Sequence, residues 1–106
     1  MWFVLDNKWI NVEPGVQRKI FPPGTSIMMM EVRFEKGAIG KKHKHMHEQL
    51  TYVLEGKFKF NLNDKYYIVE EGETIFIPSN VEHGVEAHVE GRLLDTFTPL
   101  REDLLE

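Results

Sequence analysis

Turn-forming residues interrupt this chain so often that little room is left for a helix. Breaks fall at Pro14-Gly15, Pro22-Pro23-Gly24, Gly37 to Gly40, Glu55-Gly56, Asn63-Asp64, Glu71-Gly72 and Pro78-Ser79-Asn80. Glycine and asparagine reach left-handed backbone angles and proline fixes φ, so each cluster ends or reverses an extended run. The runs between them are short and apolar or alternating. They predict strands over residues 2–5, 9–12, 18–21, 26–34, 49–54, 57–62, 66–70, 74–77, 82–88 and 92–98. Lys57-Phe58-Lys59-Phe60-Asn61-Leu62 alternates polar and apolar side chains, which suits one buried and one wet face. Asn63-Asp64 then reads as a tight hairpin turn. Helical periodicity occurs only in the tail, where Leu100-Arg101-Glu102-Asp103-Leu104-Leu105 could wind a turn or two after Pro99. Many short strands with regular turns predict an all-β chain, a sandwich or small antiparallel barrel. The 106 residues suffice for a single domain, 1–106, with one modest core.

Composition narrows the chemistry. Apolar residues make up 42% of the chain, a globular value, and no apolar run reaches the length of a membrane span. The opening Met1-Trp2-Phe3-Val4-Leu5-Asp6 meets an acid at once and lacks the basic lead of a secretory signal, so a cytoplasmic location is expected. Cysteine is absent. That removes disulfides and thiolate ligands and leaves histidine as the main borderline ligand. A net charge of −4 provides no global field for nucleic acid, and neither nucleic acid nor membrane is expected as a partner. The sign reverses locally at Lys41, Lys42 and Lys44, either a solvated basic loop or a patch that draws an anionic ligand to a cavity mouth.

Those lysines surround the run His43-Lys44-His45-Met46-His47-Glu48-Gln49, and His83 follows about forty residues later. Strand side chains alternate faces, so His43, His45 and Gln49 share a parity and can point into one cavity. A hairpin-linked strand would bring His83 alongside. Three imidazoles and an amide oxygen suit one divalent transition metal, zinc, nickel, iron or manganese, without choosing among them. His47 and Glu48 compete as ligands by proximity; His47 has the same parity and could instead serve as a hydrogen-bonding support, whereas Glu48 points the other way. Three imidazoles and an amide are all neutral, so a bound cation would keep its charge and favour an anionic oxygen ligand.

The spacing extends over two blocks. The first is Gly37, five residues, His43-x-His45, three residues, Gln49, six residues, Gly56; the second is Gly72, five residues, Pro78-x-Asn80, two residues, His83. This resembles the two motif blocks of the cupin superfamily. Gln49 stands where that family usually has Glu, Asn80 replaces a turn glycine and Ala87 replaces a terminal asparagine. The resemblance implies a jelly-roll β-barrel of six to eight antiparallel strands with the metal inside, held by His43, His45, Gln49 and His83. Asn80 suits its place because asparagine tolerates the left-handed region.

The last predicted strand carries a further group, Leu93-Leu94-Asp95-Thr96-Phe97-Thr98-Pro99-Leu100-Arg101. Asp95 and Phe97 share a parity and can line one wall. Burial would raise the pKa of Asp95 and suit it to proton transfer near neutrality. Arg101 can grip a carboxylate through two hydrogen bonds, or else pair with Asp95 at the rim. Asp95-x-Phe97-x-x-x-Arg101 with the Gln-variant site is similar to a branch of single-domain cupins of pectin and alginate degradation. Those proteins linearise 4,5-unsaturated uronates. The resemblance implies active-site roles for Asp95, Phe97 and Arg101, a small anionic substrate, and an enzyme of the isomerase or lyase kind. An iron-dependent dioxygenase and a non-catalytic sugar-binding module are the alternatives.

Inward-facing Gln49, Thr51 and Val53 would leave Leu50, Tyr52 and Leu54 on the opposite face. Apolar residues on both faces imply that both are covered. The cover is either the N-terminal segment (Trp2, Phe3, Trp9, Ile10) or a second copy of the chain, and a homodimer is expected.

Overall fold

A computed structural model describes residues 8–105. Ten strands run in chain order: β1 (Ile10–Glu13), β2 (Val16–Ile20), β3 (Met28–Phe34), β4 (Ile39–His43), β5 (Glu48–Glu55), β6 (Lys57–Leu62), β7 (Lys65–Glu70), β8 (Thr74–Ile77), β9 (His83–Ala87) and β10 (Gly91–Thr98). They form two antiparallel sheets, β1-β2-β3-β10-β5-β8 and β4-β9-β6-β7, folded as a jelly roll. Ten strands exceed the six to eight implied by the family resemblance. The tail closes as a short 3-10 turn, Glu102–Leu104. The strand expected over residues 2–5 lies outside the described residues.

Alternation along β5 decides what the interior contains. Gln49, Thr51 and Val53 are buried while Leu50 and Tyr52 are 49% and 43% exposed. Registers across the larger sheet then stack the inward residues in rows. One row is Met28–Phe97–Gln49–Ile77, the next Met30–Asp95–Thr51–Ile75, and the third Arg18–Val32–Leu93–Val53. The core between the sheets is completed by Phe34, Phe58 and Phe60, with Phe34 meeting Phe58 edge-on at 5.3 Å. Thus the polar residues Gln49, Asp95 and Thr51, with Arg18, enter a largely apolar interior.

The turns behave as their chemistry requires. Asn63 and Asp64 have φ of 48° and 65°, making a two-residue hairpin between Leu62 and Lys65. Asn80 sits at φ 62°, the left-handed angle that a glycine would otherwise supply. Gly56 has φ 99°, and a Cβ there would meet the Glu90 carbonyl oxygen at 2.9 Å.

One strand escaped the pattern. β4 begins within the segment read as a break and carries Gly40, Lys41 and Lys42, all weak strand formers. Its partner β9 holds it, with Ile39 opposite Glu86, Gly40 opposite Val85 and His43 opposite His83. Of the residues offered as cover for the outer face of β5, the two that are described, Trp9 and Ile10, lie elsewhere. Trp9 lies under Arg33 at 4.0 Å and Lys19 at 5.0 Å, so it caps the outer face of β2 and β3. Ile10 stands opposite Arg18 on β1, while Trp2 and Phe3 lie outside the described residues.

Candidate metal centre and cavity

Three imidazoles meet at one end of the interior. His43 ends β4, His83 begins β9, and their rings lie 4.4 Å apart because the two residues are register partners. His45 comes from the loop between β4 and β5, with its ring 4.9 Å from His83 and 5.4 Å from His43. One nitrogen from each ring lies within 4.8 Å of the others. Gln49, at the start of β5, places Oε1 3.1 Å from His45 Nε2. The expectation that parity along a single strand gathers His43, His45 and Gln49 is corrected here. The chain passes from the smaller sheet to the larger one between them, and it is the β4–β9 pairing and the turn that assemble the group.

Hydrogen bonds orient every ring. Nδ1 of His43 faces the Lys41 carbonyl at 2.9 Å, Nδ1 of His83 faces the Val81 carbonyl at 2.9 Å, and Nδ1 of His45 faces the His47 carbonyl at 3.0 Å. Each Nδ1 must donate to its carbonyl, which leaves Nε2 of the neutral ring as a lone pair. Burial pushes His83 down to about 4, and burial with the nearby Arg101 charge lowers His45, so both rings are neutral at physiological pH. His83 Nε2 is buried with no hydrogen-bond partner among the described residues.

The amide of Gln49 is aimed from behind. Thr51 Oγ1 lies 2.6 Å from Asp95 Oδ1 and donates to that carboxylate. It therefore accepts from Gln49 Nε2 at 3.0 Å, which turns Gln49 Oε1 toward His45. Two acceptors, His45 Nε2 and Gln49 Oε1, then face each other with the unpartnered His83 Nε2 beside them. Opposed lone pairs in a partly buried site repel unless a cation lies between them. The donor set thus fits a divalent transition metal held by His43, His45, Gln49 and His83, with nitrogen and oxygen ligands that leave the metal's identity open.

The rest of the tail group surrounds the same space. Asp95 is buried, and burial pushes its carboxyl up to about 6 against the pull of the Thr51 hydrogen bond. Phe97 is 1% exposed and meets the His45 ring at 5.7 Å. Arg101 stacks over Phe97 at 5.2 Å and is gripped by Asp103 through bonds of 3.1 and 2.9 Å. The rim pair between Asp95 and Arg101, one of the two options for that arginine, does not form, since Asp103 takes the guanidinium. His43, Gln49, His83, Asp95, Phe97 and Arg101 all line one cavity of about 240 Å³, walled elsewhere by Met30, Val32, Phe60 and Leu93.

Other residues fall outside it. Lys41, Lys42 and Lys44 are exposed and do not line the cavity wall, and Lys42 pairs with Asp64 at 3.2 Å, which raises its pKa. Glu48 is exposed on the outer side. His47 acts through its backbone carbonyl on His45, while its ring Nε2 meets the Leu100 carbonyl at 3.0 Å and ties the tail to the metal loop. Sequence reasoning missed the orienting role of Thr51, which it placed only as an inward residue. It also missed Arg18, whose inward place between Val16 and Ile20 was legible once β2 was framed. Among the described residues, no helix is long and apolar enough to cross a membrane.

Comparison with known proteins agrees with this architecture. The chain is 38% identical over 102 residues to the pectin degradation protein KdgF of Dickeya dadantii, covering 94% of this chain and 93% of that one. The structure of KdgF from a Halomonas species superposes with a TM-score of 0.89 at 32% identity, covering 98% of each chain. An RmlC-like cupin from Shewanella frigidimarina matches equally well, with a TM-score of 0.89 at 31% identity over 97% of this chain and 96% of that one. Salicylate 1,2-dioxygenase from Pseudaminobacter salicylatoxidans shares the fold at 19% identity and a TM-score of 0.82, covering 89% of this chain and 29% of that one. Residues 30–97 match the family described as the cupin domain, and with the two-sheet jelly roll and its three clustered imidazoles, this chain belongs to the cupin family.

Proposed function

We propose that this protein is a metal-dependent isomerase that opens 4,5-unsaturated monouronates to their linear keto form. The observation that carries the reading is the hydrogen-bonded line from Asp95 through Thr51 to Gln49, which joins a buried carboxyl of raised pKa to the histidine cluster inside one small cavity. Its likeness to KdgF, a pectin degradation protein, supports uronates as the substrate class.

The reaction balances within the sugar. The ring C1–O5 bond breaks, the C1 hydroxyl proton leaves as C1 becomes an aldehyde, and a proton is added at C4 as C5 becomes a ketone. No electron or net proton is exchanged, so one residue that takes a proton and returns it is enough. Asp95 as the carboxylate accepts the C1 hydroxyl proton and delivers it to C4. Arg101, held in place by Asp103, binds the sugar carboxylate with its remaining N–H groups. Phe97 packs on the ring face and keeps water out. When bound at His43, His45, Gln49 and His83, a divalent metal supplies Lewis acidity for the negative charge that develops as the ring opens.

The test follows the loss of the conjugated double-bond absorbance of an unsaturated uronate in purified, metal-loaded protein. Wild type should consume it, and Asp95→Asn should lose at least about a hundredfold in rate, the range of general acid–base catalysis. Equal rates for the two proteins would refute the mechanism.

A homodimer is proposed with it. Met29, Leu50, Tyr52 and Phe76 stand exposed on the outer face of the larger sheet, where Leu50 pairs with Phe76 and Thr96 with Met29. Such an apolar surface matches a second copy of the same sheet.

A further inference from the structure

One charged group in the cavity has no task in this scheme. Arg18 of β2 lies opposite Val32, and Val32 opposite Leu93, so it occupies an inward position of the larger sheet and lines the same cavity as His43, His83 and Asp95. Its Nε is shielded from solvent and has no partner among the described residues. Arg33, Arg92 and Arg101 all place Nε on a side-chain oxygen, at 2.8, 3.1 and 3.1 Å. The acid on the adjoining strand that lines the cavity, Glu13, instead accepts the Lys41 backbone N–H at 3.3 Å. A guanidinium N–H closed off from water without an acceptor is costly, and such a group calls for a ligand oxygen.

We propose that Arg18 reads the far end of the ligand through a charge-assisted hydrogen bond to the hydroxyl on C2 of the uronate. The inference rests on the ring-opening reading above. Arg18 aligns with Leu93, four residues along β10 from Phe97 and Gln49, roughly 13 Å at about 3.3 Å per residue. The carboxylate-binding Arg101 lies beyond the opposite end of that strand. In a hexuronate ring the carboxylate is carried by C5, and C2 is the atom across the ring. A sugar whose carboxylate meets Arg101 therefore presents C2 toward Arg18. The cavity of about 240 Å³ falls below the roughly 300–1,000 Å³ of drug-sized pockets, so it takes one sugar unit spanned by two guanidinium groups.

The experiment is a cycle between residue and ligand. Wild type and Arg18→Met, both full-length and metal-loaded, are compared on a 4,5-unsaturated hexuronate and on its 2-deoxy analogue. Met keeps the aliphatic stem and removes the donor. Arg18→Met should raise KM for the hydroxylated sugar at least about tenfold with kcat within about threefold. The 2-deoxy sugar should bind both proteins alike, and Arg18→Lys should recover part of the loss. Equal bound metal per chain in all three proteins shows that the barrel is intact. The same cycle read as Kd by calorimetry separates the two ideas. Wild type that binds the sugar without opening it sinks the ring-opening reading alone. Equal penalties on both sugars, or no penalty on either, would overturn the role of Arg18.

Discussion

Replacing Asp95 by Asn should make the metal-free protein more stable above neutrality while destroying its chemistry. Asp95 has a folded-state pKa of about 6 against an ordinary value near 3.8, with burial as the main cause. Between those two values the folded protein keeps a proton that the unfolded chain releases, so stability falls as pH rises. The loss begins near the unfolded value and is complete once pH passes the folded one. At about 1.4 kcal/mol per unit, a shift of this size costs about 3 kcal/mol on the alkaline plateau. Asn is nearly isosteric with Asp and carries no charge, so it escapes that cost. Its hydrogen-bond partner Thr51 can accept from the new amide. The neutral histidines His45 and His83 act with the opposite sign, since their lowered values make stability rise with pH. They are common to both proteins and largely cancel in the difference. Urea unfolding of chelator-treated wild type and Asp95→Asn from about pH 4 to about pH 8 measures it. The variant's advantage should grow with pH through about 6 and then level off at about 3 kcal/mol. A pH-independent difference, or one that shrinks as pH rises, would refute the desolvation argument.

Three further outcomes follow from the same geometry. Turnover should fall as pH drops through a value at or below about 6, because the proton-accepting carboxylate is lost and a bound cation nearby favours its ionised form; a rate that rises on acidification would reverse the assignment. Thr51→Val removes the group that aims the Gln49 amide, so equilibrium dialysis should show metal binding weakened about 10–100-fold, whereas unchanged affinity would mean that Gln49 needs no such guide. Phe76→Glu places a charge on the exposed apolar face of the larger sheet, and light scattering should report a monomer where wild type is a dimer; a monomeric wild type would remove the proposed interface.

Most strands were legible because their alternation and turn residues are local properties. Lys57–Leu62 and Thr74–Ile77 fall where the pattern put them, and Asn63-Asp64 makes the hairpin its residue types favour. β4 was not legible, because its glycine and lysines oppose extended structure and only pairing with β9 stabilises it. The site divides in the same way. That His43, His45, Gln49 and His83 belong together could be read from spacing, but the reason given, a shared strand face, was not the physical one.

By itself the sequence determined that this chain would be all-β, that three imidazoles would be available to gather in its interior, and that Asp95 would sit on an inward strand face. These follow from residue type and from a side-chain period of two, which need no knowledge of distant neighbours. Only the tertiary structure decided that Asp103 holds Arg101, that the chain crosses between sheets within the histidine run, and that Thr51 sets the direction of the Gln49 amide. The first is fixed by the 3-10 turn that closes the tail, and the other two depend on which strands become neighbours. Neighbourhood is set by the packing of the whole interior, where buried polar groups must find partners across the sheets.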